Sequence, residues 1–184
     1  MYQLIIYGPP GVGKGTQAEL IAQKLNLEHI STGAILRKAF EEGTELGIIA
    51  KEIMDRGDLV TDEIMNGIVK ESLGKINKDG FILDGYPRTL QQAVALTEIF
   101  KELNFRKIKV INLAADESEI IERLLKRGRS HDNKETIANR LKVYYDSTFP
   151  VKDYYEKHKC IIEINGAGDI DEINHKIVKE VKES

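Results

Sequence analysis

The chain has 184 residues, 41% of them hydrophobic and 31% charged, with a formal net charge of −3. That length suits one domain with insertions and a full core, and the composition is that of a soluble globular protein rather than a membrane-spanning or disordered one. A slightly acidic chain argues against nucleic-acid binding as its main business, and the lone cysteine, Cys160, leaves no Cys-based zinc site to build.

The N-terminal run Tyr2 to Tyr7 is short, apolar and strand-like. It enters directly, so no signal or transit segment is expected. Next comes GPPGVGKGT, Gly8 to Thr16, and then TQAELIAQKL, where Ala18, Ile21, Ala22 and Leu25 recur at helical spacing. Strand, glycine loop, lysine and helix in this order form a phosphate-binding context. The glycines let backbone N–H groups approach an anion closely at the positive end of the helix dipole. Lys14 adds a mobile cation for the outer phosphates. In the general motif a hydroxyl residue follows the lysine; here Gly15 does, and Thr16 comes one place later.

Further strands are expected at Glu28 to Ser31, Gly80 to Asp84, Ile108 to Leu113 and Lys159 to Ile164. Several are continuously apolar, as in strands covered on both faces. With helices between them, they predict an α/β fold: a five-stranded parallel sheet with helices on both faces and ligands at the carboxyl ends of the strands.

After the second strand, STGAILRKAF predicts a helix that carries Arg37, capped by Ser31 or Thr32. A second helix begins near Thr44 and a third after Leu59-Val60-Thr61, with Thr61 as its cap. After the third strand, DGYPRTLQQA places Asp84 where a carboxylate can hold magnesium or its water shell. Gly85 and Pro87 make a turn that aims Arg88. Gln92, four residues on, shares a helical face with Arg88 and pairs a base-reading amide with a phosphate-reading cation.

After the fourth strand, ESEIIERLLKRG is a helix with Ile120, Ile121, Leu124 and Leu125 on its apolar face and Arg123 and Arg127 on one side. Asp132 with Glu135 reads as a capping box for a helix that carries Arg140. Six of the eight arginines, at 37, 88, 123, 127, 129 and 140, thus fall in or beside these segments. The planar arginine fork fits phosphate. The four histidines have no mutual metal or catalytic spacing and read as structural or surface groups. Tyr144, Tyr145, Tyr154 and Tyr155 read as core-edge packing, and Ile170, Ile173, Ile177 and Val181 form the packed face of a C-terminal helix. Cys160, in the apolar run KCIIEI, reads as a buried reduced thiol of a cytoplasmic protein.

GPPGVGKGT, STGAILR, GDLVTDE, DGYPRTLQQ, RLLKRGR and DNKETIANR together resemble the adenylate kinases, a nucleoside monophosphate kinase family, in their short-lid form. The resemblance covers nearly the whole chain. It implies a phosphate-loop kinase core over residues 1–30, 61–125 and 133–184, a helical AMP-binding insertion at 31–60 and a short lid at 126–132. It places Gly11, Val12, Gly13, Lys14, Gly15, Thr16, Arg123, Arg127 and Gly168 at ATP. It places Thr32, Arg37, Asp58, Leu59, Val60, Gly85, Tyr86, Pro87, Arg88, Gln92, Arg129 and Arg140 at AMP. Lys14, Arg88, Arg123, Arg127, Arg129 and Arg140 would neutralise charge during transfer, with Mg2+ accompanying ATP and no zinc.

The implied partners are ATP, AMP and ADP, with no nucleic acid or membrane, and the implied working form is a monomer. Two positions depart from the family pattern: Ala34 replaces an acid in the AMP segment and His131 another in the lid. The nearest alternatives are a UMP or CMP kinase, which usually has Asn where this chain has Thr89, and a non-catalytic nucleotide-binding module, which should have lost some of these arginines. A GTPase-type switch is excluded by the lack of its guanine-reading string, since Asn77-Lys78-Asp79-Gly80 fails the pattern.

Overall fold

A computed structural model describes residues 1–127 and 133–183, the side chain of Arg127 excepted. Arg129, His131, Asp132, most of the lid expected at 126–132 and the side chain of Arg127 lie outside the described residues.

The strands are β1 (Tyr2–Tyr7), β2 (Glu28–Ser31), β3 (Gly80–Asp84), β4 (Ile108–Ala114) and β5 (Ile161–Asn165), all parallel in the order β2-β3-β1-β4-β5. The helices are α1 (Lys14–Leu25), α2 (Thr32–Glu41), α3 (Glu45–Arg56), α4 (Asp62–Gly74), α5 (Leu90–Glu102), α6 (Glu117–Arg127), α7 (Lys134–Val143), α8 (Val151–Lys157) and α9 (Ile170–Glu183). A π-helical turn, Tyr144–Thr148, joins α7 towards α8.

The period-2 alternation of a strand divides β1 cleanly. Leu4 and Ile6 face a core shared with Ala18 and Ile21 of α1 and with Ile173, Ile177 and Val181 of α9. Ile5 and Tyr7 face the other core, with Val69 of α4, Leu96 of α5 and Tyr155 of α8. Both faces are therefore covered, which is why the strands read as unbroken apolar runs. A third, small cluster of Ile120, Leu124, Ile137 and Leu141 packs α6 against α7. Among the described residues no helix is long and apolar enough to cross a membrane.

Several boundaries differ from expectation, each for a local reason. β5 begins two residues late because Lys159 takes a left-handed turn, φ 53°. Ser31 and Thr61 precede their helices without a side-chain cap, whereas Thr44 accepts from the Gly47 N–H. The cap of α7 is Asn133, which accepts from the Thr136 N–H at 2.8 Å, one residue after the expected Asp132. Leu125 and Ile170 are exposed although their spacing suggested burial; α6 buries Ile120 and Leu124, and α9 buries Ile173, Ile177 and Val181.

Candidate functional site

At the carboxyl ends of the strands lies a cleft of about 750 Å³, lined on one side by residues 8 and 10–17 and on another by Arg37, Asp84 to Arg88 and Arg140. The chain reverses direction in strand order around β1, and open α/β sheets bind ligands in the crevice at such a point.

The glycine loop runs from the end of β1 into α1, whose N-terminal flank is Gly13 at φ 106°. Gly8 has φ 137°, and a Cβ there would sit 2.3 Å from the Leu113 carbonyl oxygen. Only glycine lets the chain leave the sheet this close to β4. Lys14 Nζ donates to the Gly8 and Pro9 carbonyls at 2.8 Å each, so the cation is held inside the curve of the loop. Gly11, Val12, Gly15 and Thr16 line the same wall.

Arg123 joins two further pieces to this wall. Its Nη1 donates to the Gly166 carbonyl at 2.9 Å and to the Val12 carbonyl at 3.2 Å, while Glu119 pairs with Nη2. The guanidinium plane is thereby fixed across the loop, in the cleft that Gly168 also lines. Sequence reading named Arg123 but not Glu119, whose spacing of four residues on α6 was the available signal.

Asp84 ends β3 and is mostly shielded, with 13% of its side chain exposed. Burial alone would raise its pKa. The approach of His29, together with Lys14 and Arg88, outweighs that, and the carboxyl is held below its ordinary value. Ser31 donates to its Oδ2 at 3.3 Å. His29 Nε2 lies 3.7 Å away, close enough for attraction and too long for a hydrogen bond. His29 had read as a structural group; its place beside Asp84 came from β2 pairing with β3, which sets His29 against Ile82.

Arg88 enters the cleft, where it is open to solvent yet hemmed in by protein. Crowding lowers its pKa from the ordinary value, Arg140 and Arg37 add to the effect, and Asp84 opposes it. It remains a cation at neutral pH. Three arginines facing one another create a strongly positive end to the cleft. Arg140 is braced by α3: its Nη2 reaches the Met54 carbonyl at 3.4 Å and its Cγ lies against Gly57. Asn139 and Thr136 also donate to carbonyls at the end of α3, those of Arg56 and Asp55, at 2.7 and 3.4 Å. Asp58 accepts from Asn139 at 2.9 Å, which, ahead of Arg56, lowers its pKa. None of Thr136, Asn139 and their carbonyl partners was legible beforehand, because backbone acceptors carry no residue signature.

A smaller recess of about 40 Å³ adjoins the cleft, lined by Thr32, Leu36, Leu59, Val60, Met65 and Gln92 among others. Thr32 does not cap α2; its hydroxyl donates to the Gly85 carbonyl at 3.0 Å and tethers α2 to the turn after β3. The Tyr86–Pro87 bond is cis. Tyr86 is buried, and its hydroxyl donates to Asn66 Oδ1.

One expectation needs correcting. Arg88 and Gln92 do not share a helical face, because Thr89 caps α5, accepting from the Gln92 N–H at 3.1 Å, and Arg88 lies before the helix. The two residues meet instead through the Arg88 backbone N–H, which donates to Gln92 Oε1 at 2.6 Å. Among the described residues, no group of three or more His, Cys, Asp or Glu is placed to hold a metal ion.

A family model described as adenylate kinase matches residues 6–160. The chain is 48% identical to an adenylate kinase of Leptospira biflexa, over 98% of this chain and all of that protein. It is 46% identical to adenylate kinase 1 of a Synechocystis species, over 97% and 96% of the two chains. It is 43% identical to an adenylate kinase of Thermobifida fusca, over 98% of each.

Proposed function

The chain belongs to the adenylate kinase family, and from that premise we propose that it transfers the γ-phosphoryl group of ATP to AMP, reversibly, giving two ADP. The observation that carries this reading is the single cleft with a phosphate loop on one wall and Arg37, Arg88 and Arg140 on another. The loop suits a triphosphate tail, and the arginine end suits a second phosphate group facing it.

The acceptor oxygen belongs to an already ionised phosphate, so no general base is required. The work of the site is then alignment and charge neutralisation. Lys14 and Arg123 serve ATP with Gly11, Val12, Gly13, Gly15, Thr16 and Gly168. Thr32, Arg37, Asp58, Leu59, Val60, Gly85 to Arg88, Gln92 and Arg140 serve AMP, with Arg88 and Arg140 close to the group in transit. Arg127 and Arg129 are read as adding to that charge. The insertion at 31–60, braced on α7, and the segment 126–132 are read as the parts that shield the reaction from water. The reading takes one copy acting on free nucleotides in the cytoplasm, without nucleic acid, membrane or zinc.

Mg2+ is the metal that such kinases use with ATP. The ionised carboxyl of Asp84, next to Lys14 and Gly15, fits a hydrated divalent cation, for which oxygen ligands and retained waters are usual. The ion would neutralise charge on the outer phosphates. Asp84→Asn should raise the Mg2+ concentration for half-maximal rate by about tenfold or more. The same variant has a stability signature. A carboxyl with a depressed folded-state pKa contributes stability that is complete above its unfolded value of 3.8 and is lost as pH falls through the lower folded value. Below about pH 4 the variant's melting temperature should therefore fall less steeply than the wild type's. An unchanged Mg2+ requirement would remove Asp84 from the metal's shell.

A coupled assay for ADP formation from ATP with each monophosphate tests the function as a whole. AMP should be preferred over UMP, CMP and GMP by at least about 100-fold in kcat/KM, roughly 2.7 kcal/mol. Gln92→Ala should erode that preference more than it lowers activity with saturating ATP. Equal rates with UMP or CMP would put the pyrimidine kinase reading in its place, and no ADP with any monophosphate would leave a binding module.

A further inference from the structure

We propose that Asp62 selects the acceptor base by locking the orientation of the Gln92 amide. The inference rests on the reading above, in which Gln92 meets the base of AMP.

Asp62 lies in the first turn of α4 and is half-buried beside the start of α5. Its Oδ1 accepts from Gln92 Nε2 at 2.7 Å and its Oδ2 from the Thr89 hydroxyl at 3.0 Å. The same hydroxyl accepts from the Gln92 backbone N–H at 3.1 Å. At the other end of the amide, Oε1 accepts from the Arg88 backbone N–H at 2.6 Å. The two partners leave no choice of orientation. An ionised carboxylate only accepts, and a backbone N–H only donates. Turning the amide over would set oxygen against carboxylate and NH2 against N–H, two like-against-like contacts at once.

A primary amide is nearly symmetric in shape, and with uncommitted neighbours it fills its space equally well either way round. Its orientation is nevertheless what a base would sense. With Asp62 and Arg88 each served, Gln92 keeps one N–H and one acceptor lone pair at the edge of the recess that Thr32, Leu59 and Val60 also line. Adenine presents a ring nitrogen that accepts, next to an amino group that donates. A 6-oxopurine presents the reverse, a ring N–H next to an oxygen. A free amide would turn to suit either; the pinned amide presents a fixed donor-acceptor order and leaves polar groups unpaired with the wrong purine. Arg37 and Arg88 bind phosphate whatever the base, so the lock adds discrimination at the only part of the monophosphate that differs.

Asp62 is a positioning residue, and its test reads selectivity. Asp62→Asn keeps the shape but can offer NH2 as well as oxygen, which removes one of the two pins and leaves the Arg88 N–H alone to hold the amide. The ratio of kcat/KM for AMP to that for inosine monophosphate should fall by about tenfold or more, mostly through a higher KM for AMP, with the KM for ATP unchanged. Asp62→Ala, followed by equilibrium titration of AMP and of inosine monophosphate without ATP, gives a second reading independent of turnover should the first variant fold poorly. A ratio kept within about twofold, or equal losses for both monophosphates, would show that Asp62 only supports the fold and would overturn the proposal alone. A wild type indifferent to the base would overturn both the base-reading role of Gln92 and the lock built on it.

Discussion

Lys14→Met is expected to leave a folded protein whose turnover is lower by about 100-fold or more, a loss of at least about 2.7 kcal/mol of transition-state stabilisation. The ammonium sits inside the curve of the glycine loop, donating to two carbonyls at its entrance, Gly8 and Pro9. Gly8 lines the cleft and the Pro9 carbonyl also accepts from the Val12 N–H at 3.4 Å, so removing the donor leaves no sealed, unsatisfied oxygen, and the melting temperature should change little. What is lost is the charge that meets the outer phosphates as negative charge shifts between them. Methionine keeps the length and apolar stem of the side chain, which isolates the charge as the variable. Measuring kcat and the melting temperature on the same preparation decides the matter. Turnover near that of the wild type would remove the loop from the chemistry.

Arg88→Ala should lower kcat by about 100- to 1,000-fold and raise the KM for AMP, and it should do so without destabilising the free protein. Burial lowers the Arg88 pKa first, and the like charges of Arg140 and Arg37 add to this against the pull of Asp84. In the absence of a bound anion the three cations repel one another, so deleting one should hold or raise the melting temperature. A site arranged for a polyanion is strained without it, the usual conflict between activity and stability. Arg88→Lys should recover only part of the lost rate, since an ammonium supplies a point charge and not a planar fork. A drop in melting temperature with kcat preserved would mean that Arg88 supports the turn after β3 and does not touch the phosphates.

The parts of the site that were legible in the chain are those in which one residue type has few other uses. A glycine loop with lysine between a strand and a helix, or an arginine after a turn at a strand end, points to phosphate because the chemistry leaves little choice. Gly8 and Lys14 are of this kind. Asp62 and Asn139 are not. An acid in the first turn of a helix ordinarily serves the helix dipole, and an asparagine on an exposed helix turn ordinarily faces water. The partners that give them other work, Gln92, Thr89, Arg56 and Asp58, lie between 27 and 83 residues away in the chain.

By itself the sequence determined the parallel sheet, its two buried faces and the segments that meet phosphate, because hydrophobic periodicity and glycine and arginine placement act locally. Only the tertiary structure decided which groups those segments meet. Strand order β2-β3-β1-β4-β5 brought His29 beside Asp84. The packing of α7 on the end of α3 gave Arg140 its backing, and the approach of α4 to α5 set the Gln92 amide. Hydrogen bonds need direction and a distance near 3 Å, and a linear pattern of residue types contains neither across a gap of many residues.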